Sequence, residues 1–311
     1  MAGRLPYERG MTLPRSVEPG KTYLVTRRCI LRSFLLTPCD EVNQLLLYAI
    51  GLYAPQFGIA LHAVTALGSH WHLVCTDVLG VLPDFFQCLH STIARAMNVF
   101  RERSGAFWEA TQYGRVELLD EGTVLDKMVY VAANPVAAGL VALGHEWPGI
   151  RLLPDESGSR VIRATKPKFY FRKDDGLPDV VEFEIVRPRV HEELDNSEFA
   201  SRLDAECEHR ELELRCDARD EGRSFLGAAR VKAQDPFATP KTRDPVGGTT
   251  PRFASRNPNL LRRAKEDYKS WVACYCDALE RFNGLEREAE FPRGTWKMRV
   301  FHNVNCASEP P

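Results

Sequence analysis

Runs of hydrophobic residues with two different periods fill the first half of the chain. Alternating or continuous apolar runs predict strands, while apolar positions three and four residues apart predict helices. The strands fall at 23–36, 59–78 (a hairpin with its turn near 66–69) and 106–119, and the helices at 40–53, 83–100 and 124–133. The last helix is expected to end before Pro135, because the residue before a proline is disfavoured in the helical region.

This order of elements, β-α-β-β-α-β-α, predicts an α+β fold with a ferredoxin-like antiparallel sheet and helices on one face. We therefore predict a first domain at residues 1–150. A linker or small hairpin follows at 151–190, with candidate strands at 168–172 and 180–186. Residues 191–311 are predicted to form a mainly helical accessory domain. Its candidate helices lie at 199–219, 223–231 and 259–282.

The net charge of −1 conceals an uneven distribution of charged residues. Residues 1–36 hold seven Arg or Lys against two Glu, whereas residues 191–221 hold twelve acids against four Arg. Because local basic segments supply phosphate contacts, the neutral total does not exclude nucleic-acid binding. The nine cysteines form no C-x-x-C pair, and no apolar run reaches the roughly twenty residues that span a bilayer. We expect a cytoplasmic protein without a membrane partner.

Two short motifs contain the candidate chemistry. His70 and His72 flank Trp71 in a predicted strand, so both imidazoles project from the same face. Tyr130 and Asn134 share a face of the next helix, because they are four residues apart. Two imidazoles and an amide oxygen can hold Mn²⁺ or Mg²⁺, and a tyrosine can attack a phosphate that the metal polarises. Each motif alone is common in structural positions, but together they favour an enzyme that cuts and rejoins DNA.

With these motifs the sequence resembles the single-tyrosine HUH transposases, and it is most similar to the REP-associated tyrosine transposases. The resemblance covers roughly residues 15 to 150. The segments that carry it are Ser69-His70-Trp71-His72-Leu73, Phe107-Trp108, the strand through Arg115, Tyr130-Val-Ala-Ala-Asn134-Pro135 and Glu146-Trp147-Pro148.

The resemblance implies roles for the four motif residues. His70 and His72 would be metal ligands, Asn134 would be the third ligand, and Tyr130 would form a 5′-phosphotyrosine bond. The partner would be single-stranded or hairpin DNA, and a homodimer is compatible with the family. Arginines in the same region are candidate phosphate contacts. These are Arg27, Arg28, Arg32, Arg95, Arg101, Arg103 and Arg115.

Several alternatives stay open from the sequence. Tyr113 is a rival nucleophile, and Asp77 and Glu117 are alternative oxygen ligands. The main competing function is a DNA-binding protein of the same fold that does not cleave. A metal-dependent hydrolase with a water nucleophile is a third reading, although it would usually need more carboxylates near the histidines.

Overall fold

The computed structural model describes residues 14–191, 193–241 and 251–307. Over these ranges, eight strands form one sheet that helices cover on both faces. The strands are β1 (Lys21–Arg28), β2 (Ile59–Ala66), β3 (His70–Asp77), β4 (Gly114–Leu118), β5 (Arg151–Leu152), β6 (Ser159–Thr165), β7 (Val180–Val186) and β8 (Phe253–Ala254). The helices are α1 (Asp40–Tyr53), α2 (Leu82–Phe100), α3 (Glu121–Ala137), α4 (Asn196–Asp220), α5 (Ala228–Lys232), α6 (Pro258–Asn283) and α7 (Lys297–His302).

Four antiparallel strands in the order β2-β3-β1-β4 form the centre of the sheet. The predicted hairpin is confirmed, since β2 and β3 are joined by a turn at residues 67–69. In the register of β1 with β3, Arg28 lies opposite His70 and Thr26 lies opposite His72. The parallel strands β7 and β8 extend the sheet at β2 and β4, and β6 pairs with β7.

Side chains of the central strands alternate between two buried faces of the sheet. Tyr23 and Trp71 pack with α1 and α2 on one side, which we call the α2 face. Leu24 and Val74 pack with α3 and α4 on the other side, which we call the α3 face. The predicted α+β class with a central antiparallel sheet is confirmed, and α1 and α2 share a face. In addition, α3 and α4 cover the opposite face of the sheet, which explains why these strands are apolar on both sides.

Helix α3 is longer than the sequence predicts. It begins after Asp120, whose carboxylate accepts a hydrogen bond from the main-chain nitrogen of Thr123 at 2.8 Å. The prediction that the helix ends before Pro135 is wrong, because Pro135 lies inside its last turn. Asn134 is therefore a helical residue and not part of a frayed end.

Arg151 supports this last turn and links it to the second half of the chain. Its Nε donates to the carbonyl of Ala132 at 2.9 Å, in the turn where proline removes a main-chain donor. Its Nη2 forms an ion pair with Glu211 of α4 at 3.4 Å, and Glu211 also accepts from the nitrogen of Gly144 at 2.9 Å. A Cβ at position 144 would lie 2.2 Å from the Glu211 carboxylate, so a larger residue there would displace this carboxylate.

The second half departs from the prediction mainly in its bounds. Strand β7 lies where predicted, but its partner β6 precedes the predicted 168–172 segment. Helices α4 and α6 are confirmed, whereas the 223–231 stretch is helical only from Ala228. The predicted domain boundaries stay a prediction, and pairing of β7 with β2 joins residues on both sides of the first one. Among the described residues, none of the helices has the combined length and apolarity that crossing a membrane requires.

His62 occupies a β-bulge in β2 and connects β7 to the centre of the sheet. The register with β3 shifts between Leu61 and Ala63. The two ring nitrogens bond the carbonyl of Val186 and the hydroxyl of Thr76, both at 2.8 Å. Because a carbonyl only accepts, Nδ1 carries the proton and Nε2 accepts from Thr76. Burial lowers the pKa of His62 to about 4, which keeps this imidazole neutral.

We expect the free energy of unfolding to fall as the pH drops from about 6.5 towards 4, with His62 responsible for part of the loss. The folded-state pKa of His62 is about 4 against an ordinary 6.5, so the unfolded chain binds a proton in this window that the folded chain does not. The full contribution is about 3 kcal/mol, present above pH 6.5 and lost at about pH 4. Urea unfolding at several pH values measures it. His62→Gln should show a shallower dependence than wild type, and identical slopes would contradict the assignment.

Candidate functional site

His70 and His72 lie side by side on the α3 face of β3. Their ring centroids are 4.9 Å apart and the ring planes are nearly perpendicular, at 89°. Trp71 between them points to the α2 face, where it is buried in the main core. Nδ1 of His70 hydrogen-bonds the hydroxyl of Ser69 at 3.0 Å. The two imidazoles therefore project together, as the strand alternation predicts.

Tyr130 on α3 meets this pair of histidines. Its ring centroid lies 5.3 Å from that of His72, in an edge-on arrangement. Tyr130 is 43% exposed, although Val129 and Val131 on either side of it are buried. Lys127, one helical turn earlier, places its ammonium nitrogen 5.7 Å from the centroid of the Tyr130 ring. The exposed phenol is thus close to both the histidines and a positive charge. We call His70, His72 and Tyr130 the histidine–tyrosine site.

The hydrogen bonds of His72 leave one ring nitrogen available. Nδ1 bonds the hydroxyl of Thr26 at 2.8 Å across the strand pair. Nε2 is buried and has no hydrogen-bond partner, and the same is true of the hydroxyl of Thr65, which lies opposite His72 on β2. Burial, reinforced by the nearby charges of His70 and Arg28, holds the pKa of His72 well below its usual range. The imidazole is therefore neutral at pH 7, with a lone pair on one nitrogen.

Asn134 lies one turn beyond Tyr130 and is buried. Two residues later, Val136 packs in the same apolar cluster as Leu67, which belongs to the turn that precedes His70. The last turns of α3 therefore run from His72 towards this turn, and Asn134 lies along that path.

The donor set of the site fits a divalent metal with mixed nitrogen and oxygen ligands. His72 contributes a neutral ring with an unpartnered buried nitrogen, His70 lies beside it, and Asn134 offers an amide oxygen. Thr26 orients the ring from its other nitrogen, as partners of metal-binding histidines commonly do. Within the described ranges, no three His, Cys, Asp or Glu side chains are grouped closely enough to hold a metal by themselves. A metal at this site would therefore need an amide oxygen, such as that of Asn134, among its ligands.

The alternative residues lie on the other side of the sheet. Asp77 accepts hydrogen bonds from the nitrogens of Val81 and Leu82 at 2.9 Å, so its carboxylate serves the start of α2. Glu117 forms an ion pair with Lys21. Tyr113 packs its ring against α2, and burial raises the pKa of its hydroxyl. These positions do not adjoin the histidine pair.

The seven candidate arginines do not form one surface. Arg28 lies opposite His70 on β1 and close enough to His72 to influence its pKa. Arg32 lies in a short turn after β1, and Arg95 is exposed on α2. The other four donate to main-chain carbonyls: Arg27 to Thr111, Arg101 to Leu35 and Thr37, Arg103 to Ala106 and Arg115 to Ser16. Their role in DNA binding stays a prediction.

Sequence reasoning missed three polar side chains around the site. Thr26 and Thr65 flank His72 on the neighbouring strands, and Lys127 lies beside Tyr130. The i, i+3 spacing of Lys127 and Tyr130 was readable from the sequence. The two threonines required the strand register, which the sequence pattern does not specify.

No protein-family model and no curated protein matches this chain. Among the solved structures that resemble part of it are the following two. One is a REP-associated tyrosine transposase bound to a REP hairpin, with 19% identity and a TM-score of 0.39 over 45% of this chain and 81% of that one. The other is a Deinococcus radiodurans R1 protein assigned as a transposase, with 24% identity and a TM-score of 0.27 over 34% of this chain and 85% of that one. Identities and TM-scores this low indicate nothing about the roles of individual residues, which depend on the geometry of this chain.

We expect Thr26→Val to disturb His72 specifically. The matched control is Thr22→Val, because Thr22 lies on the same strand and its hydroxyl bonds Thr76 at the same 2.8 Å. Each substitution should lower the free energy of unfolding by about 1 kcal/mol through the lost hydrogen bond. Only Thr26→Val should shift the ¹⁵N resonances of the His72 ring. Unchanged His72 resonances in Thr26→Val would show that the bond does not orient the ring.

Proposed function

We propose that the protein is a transposase that cleaves and rejoins single-stranded DNA at hairpin ends through a tyrosine-linked intermediate. The observation that carries the proposal is the histidine–tyrosine site itself. An exposed phenol on α3 lies against a histidine whose buried Nε2 has no partner, beside a second histidine on the same strand. The residues come from elements far apart in the chain. The exposed phenol and the unsatisfied imidazole nitrogen side by side support a catalytic role.

In the proposed reaction, the Tyr130 oxygen attacks a backbone phosphorus. A bond forms between the phenol oxygen and the 5′-phosphate, and the bond to the 3′ oxygen breaks. The phenol proton passes to solvent, and the released 3′ oxygen takes up a proton from solvent to become a hydroxyl. A second 3′-hydroxyl later attacks the same phosphorus and releases Tyr130. The phosphotyrosine bond conserves the energy of the broken phosphodiester bond, so rejoining needs no further energy source. The phenolate is also a better leaving group than an aliphatic alkoxide. The ammonium group of Lys127 favours the negative charge that develops beside the ring.

A divalent metal, Mg²⁺ or Mn²⁺, is part of the proposal. His70, His72 and Asn134 would hold it, and it would neutralise charge on the attacked phosphate. The Thr26 hydroxyl keeps the His72 ring in the orientation that leaves Nε2 free. Arg28, paired across the strands with His70, would contact a flanking phosphate. A homodimer stays compatible with this arrangement.

We expect Tyr130→Phe to abolish covalent attachment to DNA while DNA binding survives. The substitution removes only the nucleophilic oxygen of a side chain that is already exposed. Labelled hairpin DNA from sequence flanking the gene, incubated with Mn²⁺ or Mg²⁺ and analysed on denaturing gels, should give an adduct in wild type. Adduct formation should fall by more than about a thousandfold in the variant. Tyr170→Phe, the same substitution far along the chain, should behave as wild type.

Other outcomes separate the competing functions. Tight hairpin binding without adduct in wild type would indicate a DNA-binding protein that does not cleave. Cleavage without adduct that persists in Tyr130→Phe would indicate a hydrolase with a water nucleophile. An adduct that persists in Tyr130→Phe and disappears in Tyr113→Phe would move the nucleophile to the opposite face.

We also expect Mn²⁺ to stabilise the folded protein through the histidine pair. A ligand that binds only the folded state at a hundred times its Kd adds about 2.7 kcal/mol. Thermal unfolding with and without Mn²⁺ should therefore show a higher midpoint in wild type and in His145→Ala, which replaces an exposed histidine elsewhere. The shift should disappear in His70→Ala and His72→Ala. An equal shift in all four proteins would place the metal elsewhere.

A further inference from the structure

A cavity lies on the α2 face, on the side of the sheet opposite the histidine–tyrosine site. Its volume is about 760 Å³, within the range of small-molecule sites. Helix α2 contributes Phe86 and His90, the segment before β4 contributes Tyr113, and the C-terminal part contributes Tyr275 and Trp296. The cavity therefore exists only where the second half of the chain packs against the first.

Its walls are suited to a flat ring. The rings of Phe86 and Tyr113 contact each other with centroids 4.7 Å apart, and Tyr275 of α6 and Trp296, the residue before α7, also line the cavity. Aromatic walls of this kind stack on bases regardless of sequence, because every base has a π face.

The charge of the lining is positive. Arg15, Arg27 and Lys297 line the cavity, and in the part of the chain that the structure describes no Asp or Glu side chain does so. Burial lowers the pKa of Arg15, and the charges of the nearby Arg115 and Arg252 lower it further. A partly buried cation that other cations repel is stabilised when an anion joins it.

We propose that this cavity binds one nucleotide, either free or as a unit of single-stranded DNA. The base enters between the aromatic walls, and the phosphate lies towards Arg15, Arg27 and Lys297. The combination of an aromatic lining, three cations and no carboxylate fits a nucleotide better than a neutral aromatic compound, which would bring no negative charge to the cations. The inference is independent of the Tyr130 chemistry, since binding here requires neither the metal nor the phenol.

Calorimetric titration of the full-length protein in EDTA tests the proposal without any contribution from cleavage. The probes are thymidine monophosphate, thymidine, inorganic phosphate and a short oligothymidylate. The monophosphate or the oligonucleotide should bind at least about tenfold more tightly than thymidine or phosphate, because base and phosphate contacts are both needed. Binding of the monophosphate itself indicates a free nucleotide as ligand, whereas binding of the oligonucleotide alone indicates a unit of DNA.

A charge-swap variant locates the binding. Gln87 lies on α2 at the cavity lining and is exposed, so Gln87→Glu adds a carboxylate with almost no change in size. It should weaken the nucleotide by about tenfold. Gln56→Glu makes the same change at an exposed position outside the cavity and should leave binding unchanged. Equal affinities in the two variants, equal affinity for thymidine, or no binding of any probe would overturn the proposal.

Discussion

The register of β3 is the constraint on which the candidate site depends. Trp71 is among the largest fully buried side chains, and its ring lies 5.7 Å from that of His90 in the core of the α2 face. A shift of one residue would turn this indole to the α3 face and push both flanking imidazoles into an apolar core. Burial of unpaired imidazoles there is unfavourable, so the packing of Trp71 also determines where His70 and His72 point. Trp71 thus supports the site from the opposite face of the sheet.

Helix α3 supplies the tyrosine of the site, and its placement depends on residues from the second half of the chain. Asp120, which starts the helix, accepts a hydrogen bond from the nitrogen of Arg256, and the Arg256 side chain forms an ion pair with Asp126. At its other end, Arg151 contacts the carbonyl of Ala132. Both ends of α3 are therefore held by segments that lie outside the region of family resemblance. In the proposed reaction the Tyr130 phenol must be held close to the attacked phosphate, and a helix held at both ends favours such positioning.

The sequence was most informative where periodicity and burial coincide. The bounds of α1, the β2–β3 hairpin and the shared face of His70 and His72 follow from local spacing alone. The extent of α3 did not, because the helix continues through Pro135 in the folded chain, where Arg151 contacts its last turn from outside the helix. The hydrogen bonds of Arg101 and Arg115 to main-chain carbonyls could not be predicted either. An arginine looks the same in the sequence whether its side chain faces solvent or bonds a loop. Thr26 could be placed beside His72 only once the strand pairing was known.

The charged link from Ala132 through Arg151 and Glu211 to Gly144 has an evolutionary consequence. Because a Cβ at position 144 would lie 2.2 Å from the Glu211 carboxylate, a larger residue there would displace this carboxylate from Arg151. Loss of the acid would in turn leave the buried nitrogen of Gly144 without its partner. An accessory segment that began as an optional addition to a smaller ancestor would become difficult to lose by single substitutions. The lengthened chain is then preserved by its own packing, whatever the extra residues contribute to activity.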